Sequence, residues 1–199
     1  MRTLAAVGIV LATTISAIGA TPKGQQTVRV CLETDLTEAN YTLLPLAEAK
    51  TSKIFEMISV RLEWTQDRRH CRSDSGSIWL SVRQQAAAAS GPDWLGYALP
   101  YDRTHIVVFY DRVVGYRGMV STENMLGHVF AHEIAHILQG ISRHSASGIM
   151  KAFWDNTDRM QMTRGSLTFA PIDIKLIGDG LKVRTGTVAL AHQEHPSEE

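Results

Sequence analysis

The alternation of apolar and polar positions predicts short β-strands in the first part of the chain. Two segments, 94–100 and 105–113, follow the low-complexity stretch 84–92. Pro100 cannot donate a backbone hydrogen bond, so we expect 94–100 to lie at an edge of the sheet. Three earlier segments alternate clearly and are rich in β-branched or aromatic residues: 27–33, 59–64 and 77–83.

The helical spacing of apolar residues predicts helices between and after these strands. The first, 43–58, has Pro45 in its first turn, where the missing N–H is tolerated. The second, 121–139, is apolar round most of its circumference, as expected for a buried helix. The third, 170–178, would close the domain. The order of these elements indicates one α+β domain.

The two ends of the chain differ in composition from the predicted domain. Residues 1–20 contain one basic residue, an apolar run and small residues up to Ala20, which is the layout of a secretory signal peptide. The alternative is a membrane anchor, but the apolar run 4–20 is shorter than the roughly 20 residues that a span needs. We therefore expect export, a single folded domain over 21–184 and a disordered polar tail over 185–199.

The chain contains two cysteines, Cys31 and Cys71. In an exported protein such a pair is expected to form a disulfide bond. The bond would close a loop of about 40 residues and would stabilise the fold by roughly 3–4 kcal/mol. The alternative is two separate buried thiols. The wide spacing of the pair disfavours a cysteine-based metal site.

A His-Glu-x-x-His pattern lies inside the predicted helix 121–139. His132 and His136 are four residues apart, so both imidazole rings project from one face of the helix. Two imidazoles at this spacing can bind one Zn²⁺ ion. Glu133 lies about 100° round the helix, where its carboxylate can reach a water molecule without binding the metal. The alternative is a pair of core histidines that bond to backbone carbonyls. We expect His128, one turn earlier, to be a packing or supporting residue.

A zinc ion on this helix needs a third protein ligand. A downstream glutamate is excluded, since none occurs between Ile134 and Gln193. Gly140 can adopt the left-handed conformation that ends a helix, which lets the chain turn back. His144 is the first residue after that turn whose side chain is of a type that binds zinc, and we predict it as the third ligand. It is chosen over the other histidines and aspartates downstream: Asp155, Asp158, Asp173, Asp179 and His192.

This part of the chain resembles the metzincin clan of zinc peptidases. The serine that directly follows the third histidine, Ser145, is similar to the residue at that position in the matrixin branch of the clan. The spacing differs, because both gaps around Gly140 are four residues here and three in the family. The resemblance implies a metzincin-like single α+β domain, with a twisted mixed sheet, an active-site helix and a closing C-terminal helix. The matching elements are the helix motif, a glycine turn, a third histidine and a methionine turn: His132, Glu133, His136, Gly140, His144 and Met150.

The resemblance also implies a secreted zinc metalloendopeptidase with one catalytic Zn²⁺ held by three histidines. Glu133 would take a proton from the zinc-bound water that attacks the peptide bond. A peptide or protein substrate would lie extended along the edge strand 94–100. Residues 151–156 would wall the specificity pockets, although we expect Phe153 and Trp154 to belong to the core. The alternative function is a zinc-stabilised secreted binding protein that keeps the fold and hydrolyses nothing.

The charge balance narrows the expected partners. The 199 residues include 20 basic and 20 acidic ones. This balance argues against binding to nucleic acid, and against binding to an anionic membrane once the signal peptide is removed. We expect a monomer whose partner is its peptide substrate.

Overall fold

Five strands form one mixed sheet at the centre of the protein. The computed structural model describes residues 26–71, 76–88, 90, 91 and 93–194, so the predicted signal peptide lies outside the described residues. The strands are β1 (Gln26–Thr34), β2 (Val60–Thr65), β3 (Ile78–Arg83), β4 (Gly96–Ala98) and β5 (His105–Phe109). They lie in the order β2-β1-β3-β5-β4. Four strands are parallel, and β4 runs antiparallel to β5 at the edge, where an edge strand was predicted.

Helices cover the apolar face of this sheet. Their bounds are α1 (Glu38–Tyr41), α2 (Leu44–Glu56), α3 (Tyr110–Tyr116), α4 (Thr122–Gln139), α5 (Asn156–Arg164) and α6 (Pro171–Glu194). Val28, Val30 and Leu32 alternate along β1 and point into the core, as the sequence pattern predicted. The helices α2 and α4 pack against each other and on the strands. The predicted α+β architecture with a twisted mixed sheet is therefore confirmed.

The contact between α2 and α4 fixes the position of the helix that carries the histidine motif. A side chain at Gly127 would collide with the side chain of Lys50, because a Cβ there would lie 2.6 Å from it. The hydroxyl group of Thr51 donates a buried hydrogen bond of 3.0 Å to the carbonyl oxygen of Gly127. The small residue and this bond let the two helices approach closely and hold α4 against the core.

Several elements differ in extent from the sequence prediction. The strand predicted at 105–113 ends at Phe109, and Tyr110 begins the helix α3. The predicted edge strand is only three residues long, Gly96–Ala98. The closing helix α6 continues to Glu194, and so includes the first part of the segment 185–199 that we expected to be disordered. The helices α1 and α5 were not predicted.

The predicted disulfide bond is confirmed. Cys31 and Cys71 are bonded, with their Cα atoms 5.9 Å apart and a sequence separation of 40. Both residues are buried, and the bond ties β1 to the segment that follows β2. Within the described residues, none of the helices has the length and hydropathy needed to cross a membrane.

Candidate metal centre

The helix α4 presents the histidine motif from the middle of the core. It begins after Ser121, and the negative charge of Glu123 in its first turn interacts favourably with the positive end of the helix dipole. It ends at Gly140, whose φ of 69° is the left-handed conformation predicted for this glycine. The amide of Gly140 donates to the carbonyl oxygen of His136 at 2.9 Å, which closes the last turn. The chain can therefore turn back towards the motif directly after the helix.

His132 and His136 are held with their Nε2 atoms 3.1 Å apart. The Nδ1 atom of His132 donates to the carbonyl oxygen of Ile149 at 2.8 Å, and that of His136 donates to Ile141 at 3.2 Å. A carbonyl oxygen only accepts, so each Nδ1 carries the proton and each Nε2 presents a lone pair. Two lone pairs facing each other at this distance fit a shared cation.

His144 completes a cluster of three imidazole rings. Its ring centroid lies 5.3 Å from that of His132 and 5.1 Å from that of His136. One nitrogen from each of the three rings lies within 4.8 Å of the others. Unlike the two buried helix histidines, His144 lies on a loop and is exposed. The structure thus brings together the three residues that the sequence singled out.

The other candidates for the third ligand have different partners. Asp155 and Asp158 form the capping box at the start of α5, and both accept hydrogen bonds from Lys151. Asp173 pairs with Arg143. Asp179 pairs with two lysines on the surface of α6. His192 lies in the part of α6 whose side chains are not described.

A tight turn containing Met150 lies against both the helix α4 and the loop of the third histidine. Gly148 has a φ of 76°, and a Cβ there would lie 2.1 Å from the carbonyl oxygen of Thr168. Met150 is fully buried, and its carbonyl oxygen accepts from the amide of Ser145 at 2.7 Å. The preceding residue, Ile149, accepts from His132. The turn therefore contacts both the first histidine and the loop of the third.

Burial sets the protonation of the groups in this cluster. It lowers the pKa of His132 to about 3 and that of His136 to about 4, so both rings are neutral at pH 7. Burial and the charge of Arg143 lower the pKa of His144 as well. Burial raises the pKa of Glu133, which is 7% exposed, to about 8. Neutral imidazoles are the form that binds metal ions.

His128 has a structural role, as the sequence analysis expected. Its Nδ1 atom donates to the carbonyl oxygen of Asn124 at 2.8 Å, and its Nε2 atom accepts from the amide of Leu167 at 3.2 Å. Both nitrogens are therefore used by backbone groups. The ring is fully buried, and burial lowers its pKa to about 4.

A cavity of about 440 Å³ opens beside the three histidines and Glu133. The strand β4 lines one side, and the segment 151–154 lines another. Trp154 is 6% exposed and meets the ring of His132 edge-on at 5.8 Å, so its assignment to the core is confirmed. The same expectation for Phe153 is wrong, because its side chain is 71% exposed at the cavity wall. Phe153 and Trp154 are both aromatic, so residue type alone could not show which of the two side chains is buried.

Tyr116 is a cavity residue that the sequence analysis missed. It lies at the end of α3 and lines the cavity together with Trp154. Its hydroxyl group donates to the carbonyl oxygen of Trp154 at 2.5 Å, which joins α3 to the segment that follows Met150. The sequence carried no signal for this contact, because the partners are 38 positions apart and residues 110–113 of α3 were predicted as the end of a strand.

Comparison with known proteins supports the fold and identifies no family for the chain. No protein-family model matches the chain, and no curated protein matches it significantly. Among solved structures, archaemetzincin from Methanopyrus kandleri is similar, with a TM-score of 0.51 and 14% sequence identity. The match covers 82% of this chain and 99% of the archaemetzincin chain. The protein therefore has an archaemetzincin-like metallopeptidase fold, and the metzincin resemblance is confirmed at the level of the fold.

Proposed function

We propose that the protein is an exported zinc-dependent endopeptidase. The observation that carries this proposal is the convergence of three histidine rings beside a buried glutamate in an open cavity. Protein ligands that leave a coordination position free are typical of catalytic rather than structural zinc sites. The cavity gives that position access to a substrate.

The three histidines fit a zinc ion by their chemistry. Imidazole nitrogens are common zinc ligands, and three of them with an open position form a known type of catalytic site. Backbone carbonyls orient the rings of His132 and His136, which is the usual support for histidine ligands. Zinc, when bound, would supply a Lewis acid and would lower the pKa of a water molecule to about 7.

Glu133 is the proposed general base. Burial raises the pKa of its carboxyl group to about 8, and a nearby cation would favour the ionised form and lower that value. A general base works best when its pKa lies near the working pH. The carboxylate would accept a proton from water and would pass it to the amine that leaves the cleaved peptide.

The edge strand β4 is the proposed binding surface for the substrate backbone. Among the described residues, β4 pairs only with β5, so its other edge can accept an additional strand. Gly96, Tyr97 and Ala98 of this strand line the cavity beside the histidines. An extended peptide paired with β4 would therefore pass through the cavity. This geometry supports a peptide or protein substrate.

Export is proposed from two observations. Residues 1–20 have the composition of a signal peptide. The Cys31–Cys71 disulfide is consistent with an extracellular or periplasmic location, because such bonds persist in oxidising compartments. Sequencing the N-terminus of the exported protein would test whether cleavage occurs near Ala20.

Replacement of the proposed base tests the peptidase function. The full chain is expressed with export to an oxidising compartment, loaded with zinc, and incubated with an unfolded protein substrate. We expect Glu133→Gln to bind zinc as the wild type does and to cleave at least about 100-fold more slowly. Glu123→Gln, on the first turn of the same helix, is the matched control and should keep both properties.

Two other results would contradict the proposal in different ways. A wild-type protein that binds zinc but cleaves no peptide bond would support a zinc-stabilised binding protein instead. Cleavage by Glu133→Gln at the wild-type rate would exclude Glu133 as the base.

A further inference from the structure

A buried carboxylate joins the loop of the third histidine to the helix α6. Asp173 lies in the first turn of α6 and is 0% exposed. It accepts hydrogen bonds from Arg143 Nη1 at 2.8 Å, from Ser145 Oγ at 2.7 Å and from the amide of Ala170 at 3.2 Å. Burying a charged group is costly unless it is paired and bonded, so this arrangement is strongly fixed.

The two side chains that bind Asp173 are the immediate neighbours of His144. Arg143 precedes the histidine and Ser145 follows it, and Arg143 also donates to the hydroxyl group of Ser145 at 3.2 Å. The backbone of Ser145 is held as well, since its amide donates to Met150. One carboxylate on α6 therefore fixes the chain on both sides of the histidine.

His144 itself has fewer orienting contacts than the other two histidines. The rings of His132 and His136 are each bonded to a backbone carbonyl through Nδ1. Among the described residues, no hydrogen bond holds the His144 ring, and its aromatic neighbours are those two rings. The loop that carries it is also the one lengthened relative to the metzincin spacing. The hydrogen bonds that anchor its two neighbours are therefore the polar contacts that can fix its position.

We propose that Asp173, acting through Arg143 and Ser145, is a positioning residue that holds His144 within reach of the zinc ion. This inference rests on the proposed zinc site. Groups that orient metal ligands typically change metal affinity by about 10–100-fold when they are replaced. Asp173 thus contributes to zinc affinity without contacting the metal.

A simpler role for Asp173 is to cap α6, because it accepts from the amide of Ala170. A cap would affect the stability of the helix but would not act through His144. The experiment must therefore separate metal affinity from folding stability, and must show whether the effect depends on the histidine.

Zinc affinity is measured on the full exported chain by competition with a chromophoric chelator, beside urea unfolding of the metal-free protein. We expect Asp173→Asn to bind zinc about 10–100-fold more weakly. Asp179→Asn is the matched control, since it lies on the same helix and forms only exposed ion pairs with Lys175 and Lys182. Its zinc affinity should equal that of the wild type.

The same substitution in a His144→Ala background separates the two roles. If Asp173 acts through His144, Asp173→Asn should cause no further loss of zinc affinity once the histidine is absent. An equal loss in both backgrounds would overturn the inference and would leave the proposed zinc site intact. A wild-type protein that binds no zinc would overturn both.

A milder variant covers the case in which Asp173→Asn does not fold. Ser145→Ala removes one of the three hydrogen bonds to the carboxylate and leaves the charge pair in place. We expect its zinc affinity to fall about fivefold, and again only when His144 is present. An unchanged affinity in this folded variant would contradict the proposal.

Discussion

The buried histidines of α4 differ in hydrogen bonding because they have different neighbours. His128 is bonded at both ring nitrogens by backbone groups, whereas His132 and His136 each keep one nitrogen facing the cavity. The sequence spacing placed all three on one stripe of the helix. What separates them is the amide of Leu167, which lies 39 residues from His128 along the chain. A contact at this distance in sequence could not be predicted from helical periodicity.

His128 should make the stability of the protein depend on pH. Its pKa is about 4 in the folded protein, below the usual value of 6.5, because burial disfavours the charged ring. The unfolded chain therefore binds more protons between these values, and stability is lost as the pH falls from about 6.5 to about 4.

Replacement of His128 tests this assignment. Between pH 7 and pH 4, the wild type should lose about 2–3 kcal/mol more unfolding free energy than His128→Gln does. Urea unfolding with a metal chelator present measures both proteins, and their difference removes the contribution of the other histidines. Parallel pH profiles for the two proteins would show that the ring is not held neutral by burial.

The close contact between α4 and α6 depends on a single glycine. A Cβ at Gly180 would lie 1.7 Å from the carbonyl oxygen of Leu138, so Gly180→Ala forces the helices apart. We expect this substitution to lower the free energy of unfolding by about 1–3 kcal/mol. Gly178 has open space around its Cβ position, so Gly178→Ala should leave stability unchanged or raise it by up to about 1 kcal/mol. Urea unfolding of the two variants measures the difference, and equal stabilities would show that the two helices do not depend on Gly180 for their approach.

Helices and strands whose apolar residues recur with a clear period were predicted, and those without such a period were missed. The predicted strand 105–113 is rich in β-branched and aromatic residues, and periodicity alone did not mark the change to a helix at Tyr110. The helix α5 is almost entirely polar, with Met162 as its buried hydrophobic residue. Its start could have been recognised from the paired aspartates of its capping box.

We expect the disulfide to stabilise the whole domain and to leave the proposed metal centre unaffected. Cys31 lies on β1, which is separated from the edge strand β4 by β3 and β5. The double substitution Cys31→Ser and Cys71→Ser should lower the free energy of unfolding by about 3–4 kcal/mol. The zinc affinity of the folded variant should stay unchanged. Denaturant unfolding and chelator competition measure the two quantities, and a joint loss of both would connect the disulfide to the site.

At the scale of the molecule, the sequence predicted the fold class and the cluster of histidines better than it predicted the surroundings of the site. The histidine motif and Gly140 are close in sequence, so local geometry was enough to bring His144 beside the other two rings. Tyr116 and Asp173 reach the same region from α3 and α6. Their contributions depend on tertiary contacts that no local pattern encodes.

The carbonyl groups of Ile141 and Ile149 also bear on when the proposed zinc ion could bind. They orient the rings of His132 and His136 through the backbone, so this orientation is a property of the folded chain itself. Under the proposed function, a metal ion would meet two donors that are already oriented, so its binding would not require further folding of α4. If the chain is exported unfolded, as proposed, it would fold before taking up zinc. The supply of free zinc outside the cell would then set how much protein is loaded.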